Sequence, residues 1–341
     1  MNNNILLSRL FSIIILLTTS VISIYLYRHF EQIQPNQVID KKQIRQLERY
    51  SYPNLRKTHF TKSSIIFTKE ISSSEKFKSY IFTFSVEGKK VSGLANIPIS
   101  DGVYPVILLF RGYVDKEIYE TGVGTKRVGE ALSENGYITL APDFLGYGES
   151  DNPSFNSIEE RFQTYTTSLT LLSSIDSLSD TLATHSAKPD TNNVGIWAHS
   201  NGGQIALTAL EISGKSIPTV LWAPVSKPFP YSVLYYTDEF EDEGKALRKA
   251  IAIFENDYDI QKYSPTSYFS WIQSPVQVHQ GLADAAVPWR WSETLYNTLK
   301  TKNKNIEYFT YEGADHNLMP NGWNSAVERS IVFYDSLLKE K

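Results

Sequence analysis

The chain contains no cysteine. Disulfides and a thiol nucleophile are therefore excluded, and a protein without thiols is at home on either side of a membrane, so the redox compartment stays open. A surplus of positive charge is missing too: 33 Lys and Arg against 37 Asp and Glu give a formal net charge of −4. With a pI near 5.9 and no global basic field, nucleic acid is not expected as a partner. A phosphate loop is also lacking. GVGTKRVG, from Gly122, has the glycines but neither the Gly-Lys-Ser/Thr ending nor the preceding strand that such a loop needs, and it reads as a helix start.

Charge is absent from Leu10 to Tyr27, 18 residues between Arg9 and Arg28. At about 1.5 Å per residue this run crosses a slightly thinned hydrocarbon layer of roughly 30 Å. Residues 1–30 read as an uncleaved single-pass anchor in preference to a signal peptide, for which TTSVIS is a weak cleavage candidate. Arg9 and the amino terminus face only Arg28, which favours a cytoplasmic N-terminus, while Lys41, Lys42 and Arg45 argue the other way. The expectation is a lipid-bilayer anchor with an extracytoplasmic domain. Residues 31–74 read as a polar juxtamembrane linker; solvation accounts for the basic stretch Lys41 to Lys62 more simply than contact with anionic lipid does.

With 341 residues, 41% of them hydrophobic, the chain can bury one substantial core. That domain is placed at 75–341. Its sequence alternates strands and helices. Tyr80–Val86 and Val91–Ile97 read as antiparallel edge strands, and Val106–Phe110, Ile138–Pro142, Val194–Ala198, Val220–Ala223, Val276–Gln280 and Ile306–Tyr311 as a mostly parallel set. Such a sheet gathers loop chemistry at its carboxyl edge.

Ser200 stands in GIWAHSNGGQIAL, where an apolar run leads through a serine into a small-residue, helix-like segment. A serine hydroxyl becomes a useful nucleophile only when a sharp strand-to-helix turn holds it proud beside a base, and such a turn needs small neighbours. Ala198 and Gly202 supply them. The plain alternative is a serine that N-caps an ordinary helix.

Several further segments appear in a fixed order: FSVEGKKVSGLANIP, RGY at Arg111–Tyr113, YITLAPDFLGYGES, the Ser200 turn, SPTSYFSWIQSPVQVHQG with the loop after it, and ADH at 314–316. Together they resemble the α/β-hydrolase superfamily, close to the catalytic domain of the prolyl oligopeptidase family and its dienelactone-hydrolase and acetyl-esterase relatives. The resemblance covers roughly residues 75–341. It implies a mostly parallel sheet with helices on both faces, and a triad in the order serine, acid, histidine.

That order singles out His316, in YEGADHNL before a terminal amphipathic helix. His29, His59, His185 and His199 precede or abut the serine, the His199 side chain should point away from its hydroxyl, and His279 in PVQVHQG reads as a half-buried structural residue. The acid lies between serine and histidine, which implies Asp284 in HQGLADAAVP; its rival Asp315 adjoins the base and would need an awkward turn to orient it. Oxyanion donors are expected at the backbone N–H of Asn201, after the nucleophile, and of Tyr113, after the tight turn at Gly112. Two departures stand out: Ala198 replaces the usual elbow glycine, and Arg111 the histidine or tyrosine common before the oxyanion glycine. The stretch before residue 75 is too short for the β-propeller of full prolyl oligopeptidases.

Residues 227–272 exceed an ordinary strand connection and read as an inserted cap rich in aromatics, including Phe229, Tyr231, Tyr235, Tyr236, Phe240 and Phe254. Most of these should pack the cap onto the domain. Its acidic run, Asp238 to Glu243, reads as a solvated face; the sharper alternative has Glu239 or Glu241 holding a substrate α-amine, as in an aminopeptidase. The expected activity is a Ser-His-Asp peptidase acting on small peptides, or alternatively a carboxylesterase acting on esters. A third possibility is a silent, anchored scaffold with the hydrolase fold. No metal or organic cofactor is expected.

Overall fold

The computed structural model describes residues 45–339. The chain divides into two units, 1–47 and 48–341, and the sheet with its helices belongs to the second. Among the described residues nine strands form one sheet: β1 (Ile66–Ser73), β2 (Phe77–Val86), β3 (Lys89–Pro98), β4 (Gly102–Phe110), β5 (Ile138–Pro142), β6 (Ala187–His199), β7 (Thr219–Trp222), β8 (Val276–Gly281) and β9 (Ile306–Tyr311). Their order is β1-β2-β3-β5-β4-β6-β7-β8-β9. The pairs among β1, β2, β3 and β5 along this order are antiparallel, and every pair from β5 to β9 is parallel.

The centre of this sheet follows from unbroken apolar runs. Val106 to Phe110 in β4 are all buried, with Val106 opposite both Ile138 and Val194. Strands covered on both faces need no polar alternation, and each such side chain contributes roughly 1.5–3 kcal/mol on burial. Parallel pairing demands crossovers, which the helices α1 (Lys126–Glu134), α2 (Ser157–Ser174), α3 (Asn201–Ser213), α4 (Lys245–Asp257) and α5 (Trp289–Thr301) supply, while α6 (Trp323–Leu338) follows the last strand. Val128 and Leu132 of α1 and Phe333, Tyr334 and Leu338 of α6 join Ile107, Leu109, Trp197 and Val220 in one core cluster. Strand alternation turns Val106, Leu108 and Phe110 to the other face, where α3 packs on β4 and β6 and α2 packs on α3. Asn156 starts α2 by accepting hydrogen bonds from the N–H groups of Ile158 (2.9 Å) and Glu159 (3.1 Å).

The domain begins earlier than the sequence pattern suggests. Residues 31–74 read as a linker, yet Ile66–Ser73 form the edge strand β1, and Tyr50, Tyr52, Leu55 and Ile65 are buried. The strand escaped notice because nearly every residue of IFTKEISS is exposed, so no alternation marks it. It also makes β1, not β2, the edge. Its pairing with β2 slips twice, between Phe67 and Lys69 and between Glu70 and Ser72, whereas β2 pairs with β3 without a break.

Between β7 and β8, where the cap is expected, lie α4 and several short 3-10 turns. Phe229, Phe254 and Tyr263 close around Phe162 of α2, with ring centroids 5.6, 5.9 and 5.3 Å away. The expected anchor at 1–30 lies outside the described residues. Among the described residues no helix is long and apolar enough to cross a membrane.

Candidate active site

Ser200 joins β6 to α3 with φ 54° and ψ −120°, a backbone conformation that side-chain-bearing residues rarely adopt. Three bonds hold it there: its N–H donates to the Trp222 carbonyl at 3.0 Å, and its carbonyl accepts from Val225 N–H at 2.8 Å and Gly203 N–H at 2.9 Å. The small neighbours are required by close approach. A Cβ on Gly202 would stand 2.0 Å from the Phe110 carbonyl oxygen. Ala198, by contrast, keeps its place in the ladder opposite Phe110 and Leu221, so the missing first glycine does not disturb the turn.

His316 follows β9 and Asp284 follows β8. His316 Nδ1 and Asp284 Oδ2 are 2.8 Å apart, the carboxylate fully buried and the imidazole 22% exposed. Asp284 is held from every side: Oδ1 accepts from the N–H groups of Ala286 and Val287, both at 2.8 Å, and Oδ2 from Gln280 Nε2 at 2.9 Å. Burial pushes its pKa up, but the hydrogen bond and charge of His316, with the Val287 and Gln280 donors, outweigh burial and hold it below the ordinary value. Asp315 is exposed, and its Oδ1 caps its own loop by accepting from Asn317 and Met319 N–H at 2.8 and 2.9 Å.

His199 ties His316 to the Ser200 turn. Its Nε2 donates to the His316 carbonyl at 2.9 Å, and the two rings lie 4.5 Å apart. Burial, and then the charge of His316, push the His199 pKa down to about 4, so it stays neutral beside His316. Sequence reasoning set His199 aside as the neighbour of Ser200. Its one trace there is a polar ring closing the apolar run from Val194 to Ala198. Among the described residues no hydrogen bond joins Ser200 Oγ to His316, a common state before substrate tightens such a site.

Asn201 opens α3, where the first N–H groups have no partner within the helix. Gly112 brings the other candidate donor close: a Cβ built there would lie 3.0 Å from Ser200 Cβ and 3.5 Å from its Oγ, and Tyr113 follows. The role of Arg111 becomes clear here. It is buried, donates to the carbonyls of Gly112 and Asp143, both at 2.9 Å, and lies over the rings of Tyr147 (4.0 Å) and Tyr119 (4.6 Å), which fixes the loop that carries Tyr113. His279 is fully rather than half buried; its Nδ1 pairs with Tyr311 Oη at 2.7 Å and its Nε2 with Gln277 Oε1 at 2.8 Å. Burial, then Arg329, push its pKa down to about 3, so its role is structural.

Two cavities flank the elbow. One of about 430 Å3 meets it at Tyr113 and Asn201 and reaches Arg161 and Phe229. The other, about 540 Å3, meets it at His199 and Asn317 and is walled by Trp197, Trp222 and Trp323. Glu239 and Glu241 are exposed and line neither cavity. Among the described residues no group of three or more His, Asp or Glu side chains is placed to hold a metal ion.

The family model of the prolyl oligopeptidase family matches residues 130–341. The chain belongs to the prolyl oligopeptidase family. No curated protein sequence matches it. Solved structures of similar fold include acetyl xylan esterase 1 from Thermoanaerobacterium sp. JW/SL YS485 (TM-score 0.56, 14% identity, covering 84% of this chain and 93% of that one). The acetyl xylan esterase from Paenibacillus sp. R4 is similar (TM-score 0.57, 14% identity, 89% and 96% covered). So is the acylaminoacyl peptidase of Pyrococcus horikoshii (TM-score 0.55, 19% identity), covered over 78% of this chain but 42% of that one. At such identities these likenesses speak to fold. This member of the prolyl oligopeptidase family is an α/β-hydrolase and a serine hydrolase, of esterase or peptidase type.

Proposed function

We propose that Ser200, His316 and Asp284 cleave acyl bonds through an acyl-enzyme, as in a prolyl-oligopeptidase-like peptidase acting on small peptides. The observation that carries this reading is the His316–Asp284 pair, its carboxylate buried, held against the Ser200 turn by the His199 bond to the His316 carbonyl. With Nδ1 engaged by Asp284, His316 offers Nε2 to the serine hydroxyl. It takes the Oγ proton as Oγ bonds to the acyl carbon, then returns that proton to the departing amine or alcohol. The N–H groups of Asn201 and Tyr113 receive the developing oxyanion. Water, activated by the same imidazole, then releases the acid and restores the serine. No cofactor enters these steps.

A carboxylesterase is the second reading. It is favoured by the placement of Glu239 and Glu241 outside both cavities, which leaves a substrate amine without those partners. The full chain should label with a fluorophosphonate, and Ser200→Ala should lose both labelling and turnover of every substrate in a panel of p-nitrophenyl esters and aminoacyl p-nitroanilides. Undiminished labelling of a folded Ser200→Ala protein would refute the assignment, and the ratio of ester to anilide turnover separates the two readings. A silent scaffold predicts neither labelling nor turnover.

The anchor belongs to the same proposal: residues 1–30 hold the protein to a bilayer with its catalytic domain extracytoplasmic, on the strength of the uncharged run from Leu10 to Tyr27. Removing 1–30 should shift the protein from the membrane to the soluble fraction with activity retained; loss of fold would place the boundary wrongly.

A further inference from the structure

The cavity of about 430 Å3 that meets the elbow at Asn201 is lined by three cations, Arg111, Lys116 and Arg161, against two carboxylates, Glu117 and Glu160. Two of the cations are occupied. Lys116 holds Glu160 at 2.9 Å, and Arg111 donates to backbone carbonyls. Arg161 differs. Its Nη2 donates to the neutral amide oxygen of Gln204, and its Nε is buried with no partner among the described residues. None of the ion pairs among the described residues includes it. A half-buried guanidinium has shed part of its hydration, and a planar fork of donors without a counter-ion is matched best by a carboxylate.

Position makes this more than a surface charge. Gln204, the partner of Arg161, follows Ser200 by one turn of α3, about 6 Å along the helix at ~1.5 Å per residue. An anion paired with Arg161 would thus stand a few bonds from an acyl carbon at Ser200. We propose that Arg161 is a specificity residue that selects substrates carrying a carboxylate a few bonds from the scissile acyl carbon. This rests on the proposed Ser200 chemistry, and a carboxylate on either side of the scissile bond satisfies the geometry.

Two pairs of esters, tested on the full chain, distinguish the sides. Mono(4-nitrophenyl) glutarate against 4-nitrophenyl butyrate carries the charge on the acyl part; 4-acetoxybenzoate against its methyl ester carries it on the leaving group. In at least one pair, Arg161→Gln should lower kcat/KM for the anionic member at least about tenfold more than for the neutral one, which is ~1.4 kcal/mol. Arg161→Lys, which keeps the charge but not the fork, should retain part of that preference, and it carries the test alone if Arg161→Gln does not fold. Equal effects on both members of both pairs overturn the proposal. Neutral esters still hydrolysed in a Ser200-dependent manner would then show that only the selection by Arg161 has failed; hydrolysis that survives Ser200→Ala would instead sink the reading of the site.

Discussion

Glu211 is the most exposed point of the structure to a quantitative test, although it takes no part in the proposed chemistry. It lies on α3 at 0% exposure, and neither carboxylate oxygen has a hydrogen-bond partner among the described residues. Burial drives its pKa well above the ordinary value of 4.5, and the nearby Arg56, whose Nη1 donates to the Glu211 carbonyl at 3.0 Å, pulls it down too weakly to compensate. The sign follows. Above about pH 4.5 an unfolded chain releases a proton that the folded one keeps, so folding loses ~1.4 kcal/mol for each pH unit until the folded pKa is reached. Replacing the carboxyl by an amide of the same shape removes this titration. Glu211→Gln should therefore gain stability over wild type as the pH rises from about 4.5 towards 7, by up to ~1.4 kcal/mol for each pH unit. Urea denaturation of wild type and variant at a series of pH values between these limits measures the gap, and all other titrations cancel in the difference. A gap that stays constant with pH, or narrows as pH rises, refutes the reasoning.

Asp284→Asn should keep the fold but lower kcat by about 10⁴, since His316 would lose the acceptor that orients it, whereas Asp315→Asn should loosen only the loop from Asn317 to Met319. Steady-state kinetics on one ester compares them; a larger loss at Asp315 would move the acid. Glu239→Gln and Glu241→Gln should change kcat/KM for free-amine anilides and for neutral esters alike, each within about 0.5 kcal/mol, as expected of exposed carboxylates. A selective loss on the amines would revive the aminopeptidase reading.

The strands from β4 to β9 were legible because burial on both faces writes continuous apolar runs into the chain, and turn residues punctuate them. The elbow was legible because close packing of Gly202 on the Phe110 carbonyl admits no side chain. What escaped depends on backbone partners. His199 matters through the carbonyl of His316, and Arg111 through those of Gly112 and Asp143; a carbonyl carries no letter of its own, so the sequence marked Arg111 only as unusual and His199 only as a polar ring at a strand end. The stretch before residue 75 was misread for another reason. Tyr50, Tyr52, Leu55 and Ile65 are buried anchors that follow no strand or helix period.

The slipped pairing of β1 governs how this protein behaves in a tube. An unpaired strand edge is a template for another copy, and Lys69, Glu70 and the two register slips break its row of donors and acceptors. Beneath it lies β2, ten residues long, largely buried and paired without interruption on its other side. A shortened version begun at residue 75, where the sequence pattern seems to start the domain, would strip β1 away and leave that straight, apolar edge bare. Such a protein would be prone to stick to itself, and its losses in expression would be mistaken for a defect in the catalytic domain.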